Sequence, residues 1–210
     1  MIIIGFICAY LMGAIPFAYI FTKLTKHVDI RTQGSGNVGA TNVMRVAGGK
    51  MALLVLILDI LKGILAASFL AFIFAPYTQM TLTNVMLLFA AGAVIGHIWT
   101  IFLKFKGGKG VATSLGACIG LSFYLADFRF LILIALVSWI LFFILTKYVS
   151  VGSIVAALSL PVTAVLKSLN LNIVLFCVFI GTLIILKHHE NINRIFTKKE
   201  TKIYLFKKSR

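Results

Sequence analysis

Long apolar runs alternate with short polar stretches along the whole chain. The runs cover roughly residues 2–22, 51–75, 84–103, 112–126, 128–147, 150–168 and 170–187. A helix needs ~20 apolar residues to cross the hydrocarbon core of a bilayer. The pattern therefore predicts an all-α integral membrane protein of about seven transmembrane helices. The fourth run is short; it forms either a span of its own or one hairpin with the fifth around Asp127 and Arg129. No soluble linker, low-complexity tract or repeat of 20–50 residues interrupts the pattern, so the prediction is one polytopic membrane domain over 1–210. Gly48-Gly49-Lys50 and Gly107-Gly108-Lys109 echo each other, and one local geometry used twice ahead of a helix explains that.

Composition strengthens this picture. The chain has 210 residues and is 61% hydrophobic, with mean hydropathy +1.08, against about 45–50% apolar residues in soluble domains. Cys8, Cys118 and Cys177 all lie inside apolar runs and read as small buried hydrophobes, with neither metal spacing nor a disulfide framework. The net charge of +15 does not point to nucleic acid, because the cations sit between apolar runs. Lys23, Lys26, Arg31, Arg45 and Lys50 follow the first run, and Lys104, Lys106 and Lys109 follow the third. Lys147 follows the fifth, and a basic tail begins at Lys187. The stretch 76–83 carries no charge, and Lys167 is the one mild exception. Seven helices with the N-terminus outside and the C-terminus cytoplasmic put the basic loops on the cytoplasmic side. The run Ile2–Phe21 has no basic residue before it and lysines after it, so it is expected to be a retained helix rather than a cleaved leader. On this topology the polar stretches 23–50, 104–111 and 187–202 share one face.

Three stretches carry candidate chemistry. The first, Gly34-Ser35-Gly36-Asn37-Val38-Gly39-Ala40-Thr41-Asn42-Val43-Met44-Arg45, contains no acid. Its glycines leave backbone N–H groups unshielded; Ser35, Asn37, Thr41 and Asn42 add neutral donors, and Arg45 adds a bidentate cation. That set suits phosphate, although a plain polar turn between two helices has the same composition. The second runs from Gly96 and His97 to Lys106-Gly107-Gly108-Lys109-Gly110-Val111. A glycine-rich turn opening a helix presents unpaired N–H groups and the positive end of the helix dipole. It lacks the spacing and βαβ context of a Walker A loop; a turn with two snorkelling lysines is the alternative. The third is His188-His189-Glu190-Asn191-Ile192-Asn193-Arg194, running on to Glu200 and Lys202. On a helical continuation His188 and Asn191 share a face, and His189 and Glu190 point elsewhere. The adjacent histidines are poorly spaced for a metal.

Asp59 and Lys62 lie three apart inside the second run, where a lone charge costs ~3 kcal/mol or more. They read as an internal ion pair that pins the bundle, with Asp59 also able to orient a basic residue such as Lys109 or Arg45. His97, at the cytoplasmic end of the third helix, reads as structural support.

Taken together, these stretches resemble the acyl-phosphate:glycerol-3-phosphate acyltransferases of bacterial membranes, the PlsY type. The match runs from Ser35 to Arg45 in the first motif, and covers Gly96, His97, Phe102, Phe105 and Lys106 to Thr113 in the second. In the third it covers His188, Asn191, Ile192, Arg194 and Glu200. Gly13-Ala14-Ile15-Pro16-Phe17, Asp29-Ile30-Arg31 and Asp59-Ile60-Leu61-Lys62-Gly63 fit as well. Thr100 departs from the pattern where that family usually has proline, His189 where it has arginine, and Lys198-Lys199 where it has Gly-Thr.

The resemblance implies transfer of a fatty acyl group from acyl phosphate to glycerol 3-phosphate. The products are 1-acyl-glycerol 3-phosphate (lysophosphatidate) and inorganic phosphate, in the first step of bacterial phospholipid synthesis. It implies no cofactor or metal, and a multi-pass protein of the bacterial plasma (inner) membrane with its site on the cytoplasmic side, in motifs at about 29–50, 96–113 and 188–202. Ser35, Arg45, His188 and Asn191 are the expected catalytic residues. Gly36, Asn37, Gly39, Thr41, Asn42, Lys106, Gly107, Gly108, Lys109 and Gly110 are expected to bind phosphate, and Asp59, Lys62, His97 and Glu200 to support them. Partners are the two substrates, membrane lipid and the enzyme that makes the acyl phosphate. Phosphate is a good leaving group, so the reaction calls for charge stabilisation and orientation of the attacking hydroxyl, with no protein nucleophile. The rival reading, a small phosphate or anion transporter, fits less well. Transporters place their sites at the midplane between internal repeats, whereas these polar motifs cluster at one interface.

Overall fold

A computed structural model describes residues 1–203; the end of the basic tail lies outside them. The chain divides after Arg129 into two compact units. Among the described residues the regular structure is entirely helical. Five helical segments are long and apolar enough to cross a membrane: Ile2–Lys26, Gly49–Tyr77, Leu82–Leu103, Asp127–Thr146 and Val149–Leu166. Leu171–Lys187 and His189–Phe196, which meet at a 51° bend, make a sixth when counted together as one span.

In the first unit the opening run is two helices, α1 (Ile2–Ala14) and α2 (Phe17–Lys26). The single helix expected over 2–22 is corrected by Pro16, which has no N–H to donate and crowds the preceding turn. The break frees carbonyls that outside partners then take up. Thr100 Oγ1 donates to the Ala14 carbonyl at 2.6 Å, and Lys62 Nζ donates to that of Ile15 at 2.9 Å. Thr100 therefore does more than replace a helix-bending proline: it ties the start of the second motif to the break.

The first motif is also more ordered than a loop. Its second half forms α3 (Ala40–Ala47), followed by α4 (Gly49–Leu65). A π-helical turn, Ala66–Leu70, continues α4 into the short α5 (Ala71–Phe74). Next come α6 (Leu82–Ile98) and α7 (Val111–Ser122). At 12 residues, α7 is roughly 18 Å long, short of the ~30 Å hydrocarbon core. A short turn, 123–126, separates it from the helix that begins at Asp127.

Helices α1 and α6 pack together, as do α4 and α7, through close backbone approach. A Cβ on Gly116 would run into the Ile60 carbonyl oxygen, and one on Gly63 into that of Thr113. Beneath the first motif, Ala18, Ile30, Val38, Val43, Ala52, Val55 and Leu103 form a buried apolar cluster joining α2, α3 and α4 to the approach of the second motif.

The second unit holds α8 (Asp127–Thr146, whose first turn belongs to the first unit), α9 (Val149–Leu166), α10 (Leu171–Lys187) and α11 (His189–Phe196). Trp139 Nε1 donates to Ser153 Oγ at 3.2 Å, linking α8 to α9. Lys167, the exception to the charge pattern, sits with its ammonium 4.6 Å from the centre of the Phe130 ring, a cation–π contact that accommodates it.

The glycine contacts yield a paired prediction. Gly116→Val forces α4 and α7 apart and lowers stability by about 1–3 kcal/mol. Gly49→Ala, in the first turn of α4 with nothing within 4 Å of its Cβ position, is neutral or stabilising by up to ~1 kcal/mol. Thermal unfolding in detergent compares the two, and equal effects would contradict the packing described.

Candidate phosphate-binding site

The first motif is shaped by Asn42. Helix α3 turns Thr41 and Arg45 to one face, four residues apart, and turns Asn42 inward, where it is 1% exposed. Its Nδ2 donates to the carbonyls of Ile30 (3.2 Å) and Gln33 (2.9 Å), and its Oδ1 accepts the Ser35 N–H at 2.9 Å. Asn42, expected to touch phosphate, uses both amide protons and its oxygen inside the motif and braces the loop from within. Gly36 has φ +72°, with a Cβ position 3.1 Å from the Arg31 carbonyl, a left-handed conformation that suits glycine. Ser35, Asn37 and Thr41 are half-buried beside it, and Arg45 is exposed.

Arg31 is the residue that sequence reasoning left outside the site. It grips Asp29 through Nε and Nη2, the closest contact being 2.6 Å, and lies 5.3 Å from the centre of the Tyr19 ring. The hydrogen bond from Arg31 is the main reason the Asp29 carboxyl sits below the usual carboxylate range, against a smaller opposing effect of burial. Arg31, Gly36, Lys106 and Gly107 line one open cleft of about 360 Å³ together with Asp29 and Thr32, so the first two motifs meet there. The fit to Asp29-Ile30-Arg31 was the available signal for it.

In the second motif the glycine turn is pinned to the end of α6. Gly107 N–H donates to the Ile98 carbonyl and Gly108 N–H to that of His97, both at 3.1 Å. A Cβ on Gly108 would collide with His97 Nε2 and with the Val38 carbonyl oxygen of the first motif. Gly110 caps α7. Lys106 is exposed and Lys109 half-buried. Below the turn, Asp59 and Lys62 form the expected ion pair at 2.7 Å, both 3% exposed. Beside Asp59 lie Lys62 and His97, the latter with Nδ1 at 3.6 Å.

In the second unit, α10 ends at His188 and the chain bends into α11. His188 and Asn191 are buried while His189 and Glu190 are exposed, as helical spacing predicted despite the bend. The His188 ring places Nδ1 2.7 Å from the Ile184 carbonyl oxygen. A carbonyl only accepts, so Nδ1 carries the proton and Nε2 is the basic nitrogen of the neutral ring. Glu200 gathers the rest. Its Oε1 accepts from Asn191 Nδ2 (2.6 Å) and Ser150 Oγ (2.9 Å), and its Oε2 from Arg194 Nε (2.8 Å). A carboxylate only accepts, which fixes the Asn191 amide with nitrogen toward Glu200. Nothing in the sequence marked Ser150.

Lys198 has φ +57°. With Lys198 N–H bonded to the Ile195 carbonyl and Lys199 N–H to that of Arg194, it closes α11 as a Schellman motif. Glycine suits that position, so lysine there costs about 1 kcal/mol without disturbing the hold on Glu200.

Glycine turns and cations gathered at the ends of apolar helices define a helical integral membrane protein. The chain belongs to the glycerol-3-phosphate acyltransferase family, whose model matches residues 3–198. It is 45% identical over 206 residues to a glycerol-3-phosphate acyltransferase of Endomicrobium trichonymphae, covering 98% of each chain. It is 40% identical over 198 residues to that of Bartonella quintana, covering 94% of this chain and 90% of the relative. Among solved structures it resembles the glycerol 3-phosphate form of PlsY (YgiH), an integral membrane glycerol 3-phosphate acyltransferase. That likeness has a TM-score of 0.84 and 37% identity, covering 97% of this chain and 96% of the other. The lysophosphatidic acid form gives 0.80, 36%, 97% and 95%.

The Glu200 cluster sets a pH dependence. Burial opposes its charge, but the bonds from Arg194, Asn191 and Ser150 outweigh burial and hold its carboxyl below the ordinary value. Its contribution to stability is therefore complete above the unfolded-state pKa of about 4.3 and is lost as pH falls through the lower folded value. Glu200→Gln should destabilise by about 1.5–3 kcal/mol at neutral pH. That difference should shrink on acidification below pH ~4.3, as followed by unfolding of both proteins across pH. A difference constant down to the lowest pH would contradict it.

Proposed function

We propose that this acyltransferase takes its acyl group from an acyl phosphate and passes it to glycerol 3-phosphate at the cytoplasmic face of a bacterial plasma membrane. The hydroxyl oxygen of glycerol 3-phosphate attacks the acyl carbonyl carbon. The new ester C–O bond forms, the bond from carbonyl carbon to the phosphate oxygen breaks, and inorganic phosphate leaves. The hydroxyl proton passes to His188 Nε2 or to a substrate phosphate oxygen. Family membership supports the acceptor. The donor is supported by the motif resemblance and by the observation that carries the reading: two acid-poor, glycine-rich motifs with Arg31 and Lys106 on one cleft, suited to a reaction in which both substrates bear phosphate.

In this reading Ser35, Gly36, Asn37, Gly39, Thr41 and Arg45 serve one phosphate, on a loop braced by Asn42. Lys106 to Gly110 serve the other, that of the acyl donor. His188 and Asn191 orient glycerol 3-phosphate or polarise the carbonyl. The acyl chain enters from the lipid. Seven crossings, with the N-terminus outside and the C-terminus cytoplasmic, account for the charged and uncharged connections. They make 1–210 one acyltransferase domain, with α7 as the short crossing.

Purified protein given palmitoyl phosphate and glycerol 3-phosphate should release phosphate and lysophosphatidate in equal amounts, and palmitoyl-CoA should not replace the donor. Activity with the thioester alone would overturn the donor. No product from folded protein with either would turn attention to anion transport. Arg45→Ala, Lys109→Ala and Asn191→Ala should each lower kcat/KM at least ~100-fold, about 2.7 kcal/mol in the barrier, with folding retained. Full activity in a folded variant would remove that residue from the site.

A further inference from the structure

Asp59 and Lys62 lie inside an apolar span, nearly inaccessible. Charges there are expensive, and replacing a buried ion pair by well-packed apolar side chains is often neutral or stabilising. Helices α4 and α7 already pack through the glycine contacts at 63 and 116, so the fold does not call for these charges. The groups around the pair lead in two directions, both toward the phosphate loops.

Lys62 Nζ reaches the Ile15 carbonyl at 2.9 Å and lies 5.5 Å from the centre of the Phe17 ring, so it clamps both sides of the break that starts α2. From α2, Ala18 enters the apolar cluster with Ile30, Val38 and Val43 of the first motif. Asp59 faces His97 Nδ1 at 3.6 Å, and Thr113 Oγ1 holds the same nitrogen at 3.1 Å. The His97 ring then stands against Gly108, and the Val38 carbonyl closes on the same point, where a Cβ would lie. The pair, the break, His97 and the glycine turn border one tight space of about 10 Å³.

We infer that Asp59 and Lys62 are positioning residues for acyl transfer: Lys62 sets the first phosphate loop through the helix break, and Asp59 sets the second through His97. The inference rests on the functional reading above, in that these two loops are taken to hold the substrate phosphates.

The test compares wild type with Asp59→Leu/Lys62→Met and Lys62→Arg. Thermal unfolding, glycerol 3-phosphate binding by calorimetry, and kcat and KM are measured on each. The double variant should fold with its unfolding temperature unchanged or raised. It should bind glycerol 3-phosphate at least 10-fold more weakly and lose at least 10-fold in kcat/KM. Lys62→Arg keeps a donor for Ile15 and should recover part of the binding. A folded double variant with wild-type binding and kinetics overturns the inference. So does one that fails to fold, since the pair would then hold the bundle itself. Wild-type protein that binds glycerol 3-phosphate but does not use acyl phosphate contradicts the functional reading alone, and the binding comparison still decides this one.

Discussion

The contact that positions the first motif is the one between Lys62 and the Ile15 carbonyl. Proline at position 16 prevents the first run from being one helix, and a break at membrane depth leaves carbonyls with no water to meet them. An ammonium is a strong donor for such a group, but it needs its own counter-charge in apolar surroundings. Asp59, one turn earlier, supplies that. The break, the pair and the Thr100 hydroxyl on Ala14 are thus parts of one arrangement. It sets where α2 begins, and α2 forms one wall of the cluster beneath the first motif.

The two motifs of that unit use different means to the same end. The first is a loop held from inside, with Asn42 taking the backbone bonds that a helix or strand would otherwise provide. The second is held from outside, by the carbonyls at the end of α6 and by the absence of side chains at Gly107 and Gly108. Both bring a glycine and a cation to one cleft, Gly36 with Arg31 and Gly107 with Lys106. In the second unit a carboxylate takes the central part: Glu200 fixes the Asn191 amide and Arg194 at once.

Much of this was legible in the chain. The apolar runs gave all the long helices to within a few residues, because a span must be apolar throughout. The Asp59–Lys62 pair followed from helical spacing and the cost of isolated charge, and the buried faces of His188 and Asn191 from an i,i+3 relation that survives the bend. What was not legible depended on partners far apart in sequence. Pro16 marked a break only once Lys62 and Thr100 were seen to complete it. Helix α3 was hidden by the glycines before it, and with it the inward turn of Asn42. Ser150 became visible only through Glu200, fifty residues away.

Acyl transfer by positioning and charge, with phosphate itself as the leaving group, needs no covalent stage on the protein. The most direct test is the intact mass of the purified protein after incubation with palmitoyl phosphate in the absence of glycerol 3-phosphate, under rapid quench. The account predicts an unchanged mass, with product forming once the acceptor is added. A protein heavier by one palmitoyl group, lost on adding glycerol 3-phosphate and absent in Ser35→Ala, would contradict it and make Ser35 a nucleophile.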